Sequence, residues 1–316
     1  MRVPRRAGAY PIGTSQRRPT YRAKSLSNDM SARSLVVLIA IAVVLLIVGA
    51  EKPLLAQEEH GEAVDTDARG LRLNRYANWI FRSFLQDESD DATTLGMEFE
   101  SKLSLKSLEI KNISYFEVAE YSRGVPGQPA GNPDPGTAAA DGITDLLTAF
   151  WFSKKSEHHG KHHFAPGVAA QFPTASDDTL GSGQWSFGPS FDYEYESGRW
   201  FAGAIALQLW SVAGDEDRKS VNMLMIKPFA FYSVSEHWDL TYVPYGIQVY
   251  WNKPSGDKLY LPVGGGVQRH FELGWAQMNL GLQFFHNLVR PAEGTVNDLR
   301  FLVEFRFHDA HEWVTE

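Results

Sequence analysis

From Gly142 to Phe307 the chain divides into segments of about nine to twelve residues in which apolar and polar side chains alternate. The last segment shows this pattern best, with an apolar or aromatic residue at every second position of 299–307 and Arg300, Glu304 and Arg306 between them. Strands of soluble proteins are usually shorter, whereas a strand tilted across a bilayer needs this length. The alternation therefore predicts membrane-spanning β-strands.

The alternation also indicates which side chains face lipid. Leu280 falls on the apolar face of its segment and Gln283 on the polar face. In the segment Phe201–Leu209, Leu207 belongs to the large apolar face and Gln208 to the face of small and polar residues. Because the outside of a membrane barrel is apolar and its lumen polar, we expect both leucines outside and both glutamines inside.

The lengths of the links indicate the number of strands. Short turns alternate with longer polar links, and the last strand follows a long link. Outer-membrane barrels have short periplasmic turns, long external loops and an even number of strands. The strands from Gly142 onward are odd in number, so an odd number must precede them, and Asn78–Leu85, Gly96–Leu105 and Leu108–Ala119 supply it. We predict an all-β fold, an antiparallel transmembrane outer-membrane β-barrel of about 12 strands, in a range of roughly 10 to 14.

Two segments depart from this scheme, and one other fold is an alternative to the membrane barrel. The link Lys154–His162 falls on the periplasmic side, yet it is as long as an external loop. Leu73–Phe84 also fits a helical stripe, so the first strand has an amphipathic helix as its alternative. A soluble barrel or sandwich with an aromatic core is the alternative for the whole body.

Aromatic residues near the predicted strand ends favour the membrane barrel, because tryptophan and tyrosine gather at the two membrane interfaces. The predicted girdle residues are Trp151, Trp185, Trp200, Trp210, Trp238, Tyr250, Trp251 and Trp275.

The N-terminus is typical of an exported protein. An apolar run from Leu35 to Ala50 follows Arg33. At about 1.5 Å per residue it is shorter than the roughly 30 Å hydrocarbon core, so a cleaved signal peptide fits better than a permanent anchor. We expect residues 1–56 to be an N-terminal extension with the signal peptide, 57–77 a polar periplasmic leader, 78–307 the barrel and 308–316 a C-terminal extension. Translation starts at Met1 or at Met30.

Charge and cysteine content exclude several classes of function. The whole chain has a net charge of -8, but nine basic and only two acidic residues precede Glu58. The remainder carries 21 basic and 36 acidic residues, a net charge of -15, which repels phosphate backbones and argues against nucleic acid as a partner. The absence of cysteine excludes disulfides, thiol catalysis and cysteine-ligated zinc.

Polar side chains on the inward faces are the candidate functional residues. The predicted lumen-lining set is Asp145, Asp192, Glu194, Gln208, Lys227, Gln248, Gln268, Gln283, Arg300, Glu304 and Arg306. Both signs of charge occur, so these residues either form a self-neutralising network that fills a narrow barrel or line a path for solute. About twelve strands is near the size at which filling and conduction compete.

Acidic loops and a histidine cluster are weaker candidates for metal sites. The predicted external-loop residues are Asp177, Asp178, Asp215, Glu216, Asp217 and Arg218. Clustered carboxylates suit calcium, but the spacing matches no EF-hand, and solvated loops are the better interpretation. Four histidines surround Gly160, but a link between strands gives them no scaffold for ligation: His158, His159, His162 and His163. We expect neither a metal nor a cofactor.

Four strings then give a family resemblance. They are FPTASDDTLGSGQW (Phe172–Trp185), SVAGDEDR (Ser211–Arg218), LPVGGGV (Leu261–Val267) and NLVRPAEG (Asn287–Gly294). Together with the alternating last strand, they resemble the outer-membrane transporter family labelled MetA-pathway of phenol degradation, over about Gly142–Phe307. The resemblance implies an outer-membrane barrel assigned to transport, and the phenol pathway is a family label.

These patterns lead to a function hypothesis with two alternatives. We expect an outer-membrane channel of a Gram-negative bacterium that passively takes up small solutes, aromatic or hydrophobic ones among them. A structural or adhesive barrel with a filled lumen is the first alternative, and a barrel-hosted lipid hydrolase is the second. The sequence contains no G-x-S-x-G motif, so we expect no enzyme. The expected partners are outer-membrane lipid, the solute, and the barrel-assembly and periplasmic chaperone machinery.

Overall fold

The computed structural model describes residues 79–88, 92–105, 107–124, 132, 138–154, 161–274 and 276–307, with only the backbone for 79–88 and 104. The expected signal peptide, leader and C-terminal extension lie outside these residues, as do His158, His159 and Trp275. The description that follows concerns the strands and the links between them.

Fourteen strand segments make up the fold. They are β1 Trp79–Glu88, β2 Ala92–Leu105, β3 Leu108–Tyr121, β4 Ala140–Ile143, β5 Leu146–Lys154, β6 His162–Phe172, β7 Gln184–Ser197, β8 Trp200–Gly214, β9 Asn222–Ser233, β10 Trp238–Tyr242, β11 Ile247–Tyr250, β12 Leu259–Glu272, β13 Ala276–Val289 and β14 Asn297–Phe307. One turn of 3-10 helix, Ser255–Asp257, lies between β11 and β12. The described residues contain no helix long and apolar enough to cross a membrane.

Antiparallel ladders join these strands into a closed ring. β1 pairs with both β2 and β14, and β12 pairs with β13, so the first and last strands lie side by side. Two places in the wall are each filled by two segments. β4 and β5 both pair with β3, and β10 and β11 both pair with β9 and β12. Since each of these two pairs counts once, the fourteen segments occupy twelve positions, and the predicted antiparallel barrel is confirmed.

The two ends of the barrel differ in their connections. One end, called the turn end below, carries the links 106–107, 155–161, 198–199, 234–237 and 273–275. The other, called the long-loop end, carries 89–91, 122–139, 173–183, 215–221, 251–258 and 290–296. Short turns mark the periplasmic side of such barrels and long loops the outside. The link between β5 and β6 is the longest at the turn end, in agreement with its exceptional length in the sequence.

Side chains inside and outside the ring differ sharply in polarity. On β7, Phe187 is 49% exposed on the outer surface, whereas Asp192 is 0% exposed inside. A soluble protein buries its apolar side chains and exposes its charges, and this barrel does the reverse. A closed barrel with an apolar outer surface is the β architecture that spans membranes, since it leaves no strand edge unpaired in lipid. The fold is therefore that of an outer-membrane barrel, and it places the chain in the outer membrane of a Gram-negative bacterium.

Exposed tryptophans surround both ends of the barrel, as the girdle hypothesis predicts. Trp185 and Trp210 lie toward the long-loop end, and Trp200 and Trp238 lie at the turn end. Two of the expected girdle residues are instead in the interior: Trp151 and Tyr250 are each 1% exposed. Both rings lie inside because the interior next to them is itself apolar.

β8 corrects one predicted phase. Its ladder places Leu207 opposite Ser190 and Ile205 opposite Asp192, and side chains that oppose each other in an antiparallel pair lie on the same face. Leu207 and Ile205 therefore point inward, and Gln208 points outward. The expectation that Gln208 lines the lumen was wrong. Polarity failed to identify the inward face here because the interior next to β8 is apolar.

Candidate functional site: the barrel interior

A cavity of about 60 Å³, called the chamber, lies in the interior of the barrel. It is lined by Glu98, Ile113, Tyr115, Leu147, Ala149, Trp151, Ile205, Leu207, Met225, Lys227, Val243, Tyr245 and Arg300. Most of these side chains are apolar, and the charged and phenolic ones come from β2, β3, β9, β14 and the segment between β10 and β11.

The apolar wall of the chamber is formed by the inward side chains of β5, β8 and β9. Trp151, Leu207 and Met225 are buried there and belong to one continuous cluster that extends to β6 and β11. The Trp151 ring is fixed because its Nε1 donates to Ser190 Oγ at 3.0 Å. The only polar atom of this ring is thus satisfied, and its carbon face is left to line the chamber.

The polar side of the chamber is formed by groups that reach across the barrel. Lys227 Nζ on β9 lies 2.6 Å from Glu98 Oε2 on β2. The Tyr115 hydroxyl donates to Glu117 Oε1 at 2.5 Å, and the Tyr115 ring meets that of Tyr245 edge-on at 6.0 Å. Gly96 makes room for Tyr115, since a Cβ at Gly96 would lie 2.8 Å from its hydroxyl.

An inward segment interrupts the wall between β10 and β11. Residues 243–246 leave the ladders, and Val243 and Tyr245 line the chamber. Arg300 holds this segment, because its Nη1 donates to the Val243 carbonyl at 3.4 Å and its guanidinium lies 5.6 Å from the centre of the Tyr245 ring. The sequence gives a signal for this break, since Pro244 and Gly246 interrupt an otherwise alternating strand.

At the long-loop end, the link 173–183 folds into the mouth of the barrel. Asp145 anchors it: its carboxylate accepts hydrogen bonds from the Ser182 backbone N at 2.7 Å, from Ser182 Oγ at 2.8 Å, and from Gln171 Nε2 at 3.0 Å. Leu180 of the same link is fully buried against inward side chains that include Tyr121. Asp145 therefore holds a loop in place instead of lining an open lumen.

The acidic loop residues of the sequence analysis lie at this same end. Arg218 donates to the backbone carbonyls of Asp178 and Gly181, which ties the link 215–221 to the link 173–183. Asp177 and Asp215 each accept a hydrogen bond from a backbone N–H two residues later. Glu216 and Asp217 are exposed in the second link. The Asp177 and Asp215 carboxylates thus bond within their own loops. In the described part of the chain, no group of three or more metal-ligating side chains comes together.

Toward the turn end, Lys111 holds a group of carboxylates inside the barrel. Its Nζ lies 2.9 Å from both Asp192 Oδ2 and Glu194 Oε1, and 4.0 Å from Glu100 Oε1. The ammonium also lies 5.7 Å from the centre of the Trp151 ring. Lys111 and these three carboxylates are called the Lys111 cluster, which lies beside Trp151 of the chamber wall.

A second set of polar contacts, called the His270 chain, crosses β10, β12, β13 and β14 near the turn end. His270 Nε2 lies 2.8 Å from Asp239 Oδ2, and His270 Nδ1 lies 2.7 Å from Asn279 Oδ1. Asn279 Nδ2 and Arg306 Nε both donate to Glu304 Oε1 at 2.5 Å. Since both nitrogens of His270 are engaged, neither is available as a base for hydrolysis.

The predicted lumen residues occupy several levels of the interior. Those whose side chains lie inside are Asp145, Asp192, Glu194, Lys227, Gln248, Gln268, Gln283, Arg300, Glu304 and Arg306, and Gln208 lies outside. Lys227 and Arg300 reach the chamber, whereas Glu304 and Arg306 belong to the His270 chain. Of the two described histidines of the cluster, His163 is buried inside, whereas His162 bonds to Tyr193 on the outer face.

Sequence reasoning missed several interior residues of the chamber and its neighbourhood. Glu98 and Lys111 lie on β2 and β3, where the strands were expected but their inward faces were not assigned. Alternate charges at Glu98 and Glu100 were an available signal for β2. Trp151 and Tyr245 gave no such signal, because aromatic residues belong equally to girdles and to interiors.

Comparison with known proteins gives similarity at the level of solved structures. No family model and no curated protein sequence matches this chain. An outer-membrane channel of Pseudomonas putida F1 aligns with a TM-score of 0.49 and 12% identity, covering 75% of this chain and 98% of that one. OmpF of Salmonella typhi aligns at 0.32 with 11% identity, covering 75% and 99%, and the toluene transporter TodX of P. putida at 0.30 with 11% identity, covering 76% and 92%. The barrel assignment rests on the closed ladders of this chain.

Proposed function

We propose that this chain is a passive channel of the outer membrane that admits small, largely apolar solutes, aromatic molecules among them. The observation that supports this is the chamber, whose walls are mostly apolar side chains. A water-filled pore has a polar lining. An apolar lining instead favours solutes that gain free energy on leaving water.

The size of the chamber supports a binding role over a packing role. Small barrels can fill their interior with side chains, and well-packed interiors leave few voids larger than a water molecule. Here the side chains leave a cavity of about 60 Å³, which has room for several water molecules. We infer no catalytic role, because the buried Asp239–His270 pair has both ring nitrogens engaged and no nucleophile motif accompanies it.

Uptake into proteoliposomes tests this proposal. The refolded protein is expected to admit a neutral single-ring aromatic solute and to exclude its sulfonated analogue. Ala149→Phe adds a ring inside the chamber and should abolish most of this uptake, because Ala149 lines the apolar wall. Ala204→Phe is the matched control, since Ala204 opposes the outward Tyr193 and an added ring there meets lipid. Equal uptake by both variants, or preference for the sulfonate, would contradict an apolar path.

A structural barrel with a filled lumen is the second candidate function, and the polar contacts near the turn end support it. The Lys111 cluster and the His270 chain place paired charges across that part of the interior. A barrel whose lumen is closed by such networks conducts nothing. Planar-bilayer recordings of wild type that show no conductance, together with no uptake of aromatic solute, would make this the better account.

A further inference from the structure

One ion pair crosses the lumen from wall to wall. Glu98 is on β2 and Lys227 on β9, and the two strands are six positions apart in the ring of twelve, that is, on opposite sides of the barrel. Their charged atoms are nevertheless only 2.6 Å apart, with the Glu98 side chain 4% and the Lys227 side chain 23% exposed. Both side chains are therefore extended into the middle of the lumen.

A second contact crosses the lumen beside the first. Tyr115 on β3 and Tyr245, between β10 and β11, are also six positions apart, and their rings meet at 6.0 Å. Lys227 Nζ lies 5.8 Å from the centre of the Tyr115 ring, which links the two crossings. We call these four residues, Glu98, Lys227, Tyr115 and Tyr245, the lumen bar.

The bar is not needed to close the barrel. Ladders already join every neighbouring pair of positions around the ring, including β1 with β14. A buried ion pair also adds little net stability, because the loss of hydration offsets much of the attraction between the charges. A contact that costs hydration and holds no strand must have its main effect on the lumen itself.

We propose that the lumen bar is the gate of the channel, and that the Glu98–Lys227 pair must separate before a solute passes the chamber. This rests on the proposed function. All four residues line the chamber, so a solute that moves along the barrel axis meets them. The contact is made by flexible side chains, so opening needs changes of rotamer and no break in the wall ladders.

Removal of the pair is the first test. Glu98→Gln with Lys227→Met removes both charges together, which avoids an unpaired buried charge. The double variant should take up aromatic solute severalfold faster than wild type and show a higher single-channel conductance. The exchanged pair, Glu98→Lys with Lys227→Glu, should return both values toward wild type. Arg123→Met with Glu293→Gln is the matched control, because it removes an ion pair between two external loops.

Reversible bridging of the lumen is the second test. Its result does not depend on how the side chains introduced by Glu98→Gln and Lys227→Met in the first test would pack, because it uses cysteines at both positions. The chain has no cysteine, so Glu98→Cys with Lys227→Cys provides the only two thiols. A bifunctional methanethiosulfonate should bridge them and block uptake, and a reductant should restore it. Each single-cysteine variant, treated with the same reagent, carries the bulk without the bridge and should stay open.

The outcomes separate the gate from the channel. One outcome is that wild type takes up the aromatic solute, the neutral pair behaves as wild type and the bridged protein stays open. The gate proposal is then wrong, whereas the proposed channel function is supported. If neither wild type nor the neutral pair takes up solute, the proposed function fails. Folding of each variant is checked by its heat-dependent shift on gels, and the bridging test uses protein that has already folded.

Discussion

At the scale of single residues, Lys111 contacts three carboxylates in the interior of the barrel. One ammonium group serves Asp192 and Glu194 at hydrogen-bond distance and Glu100 slightly farther away. Carboxylates this close repel one another unless a cation lies between them. Lys111 is therefore a requirement for the fold of this part of the lumen, whatever passes through it.

Replacement of Lys111 by methionine should destabilise the barrel strongly. Removal of one partner from a buried ion pair costs about 3–5 kcal/mol, because the other charge is left buried without compensation. The free energy of unfolding, measured by urea titration of the refolded protein in detergent, reports this loss. Adding Asp192→Asn and Glu194→Gln to Lys111→Met should recover much of it. A loss below about 1 kcal/mol for Lys111→Met, the range of exposed ion pairs, would mean that water reaches the cluster freely.

The sequence predicts correctly which residues of a strand face the lumen where the two faces of the strand differ in polarity. Arg300 and Glu304 alternate with apolar residues on β14, and both side chains lie inside. The Lys111 cluster could not be predicted in the same way. Its members come from three strands that meet only when the ring closes, and the sequence alone does not give the register between β3 and β7.

At the scale of elements, β8 shows the limit of the alternation rule. The rule assumes a polar lumen, but β8 faces the apolar wall of the chamber and carries apolar residues inward. Its small residues, such as Ala204 and Ala206, consequently face lipid. In a strand next to an apolar chamber, the larger apolar residues face inward and the small or polar ones face lipid. This reversal of the usual pattern indicates which strands line the chamber.

Cysteine labelling should show this inversion directly. Gln208→Cys should react in a bilayer with a lipid-soluble maleimide, because its side chain faces outward. Leu207→Cys should react little with that reagent, since Leu207 is 5% exposed and lies inside. Leu282→Cys, on the outer face of β13, is the positive control for labelling from lipid. Strong labelling at Leu207 with none at Gln208 would reverse the phase of β8 and remove the apolar wall.

At the scale of the whole molecule, three groups of side-chain contacts lie inside the barrel along its axis. Link 173–183 occupies the mouth, the lumen bar crosses the middle, and the Lys111 cluster with the His270 chain lies toward the turn end. The chamber lies among them and has mostly apolar walls. Strand number and closure could be predicted from segment length and link parity. The three groups of contacts could not be predicted, because each joins side chains from distant parts of the chain.

The orientation of the barrel in the membrane gives the last prediction. The long-loop end should face the cell exterior, because outer-membrane barrels place their long loops outside and their short turns in the periplasm. Glu216→Cys lies in the link 215–221 and Arg199→Cys in the turn 198–199, and the native chain has no thiol to interfere. In intact cells a membrane-impermeant maleimide should label the first variant only. After permeabilisation of the outer membrane it should label both. Labelling of Arg199→Cys alone in intact cells would invert the barrel, and the mouth closed by Leu180 would then face the periplasm.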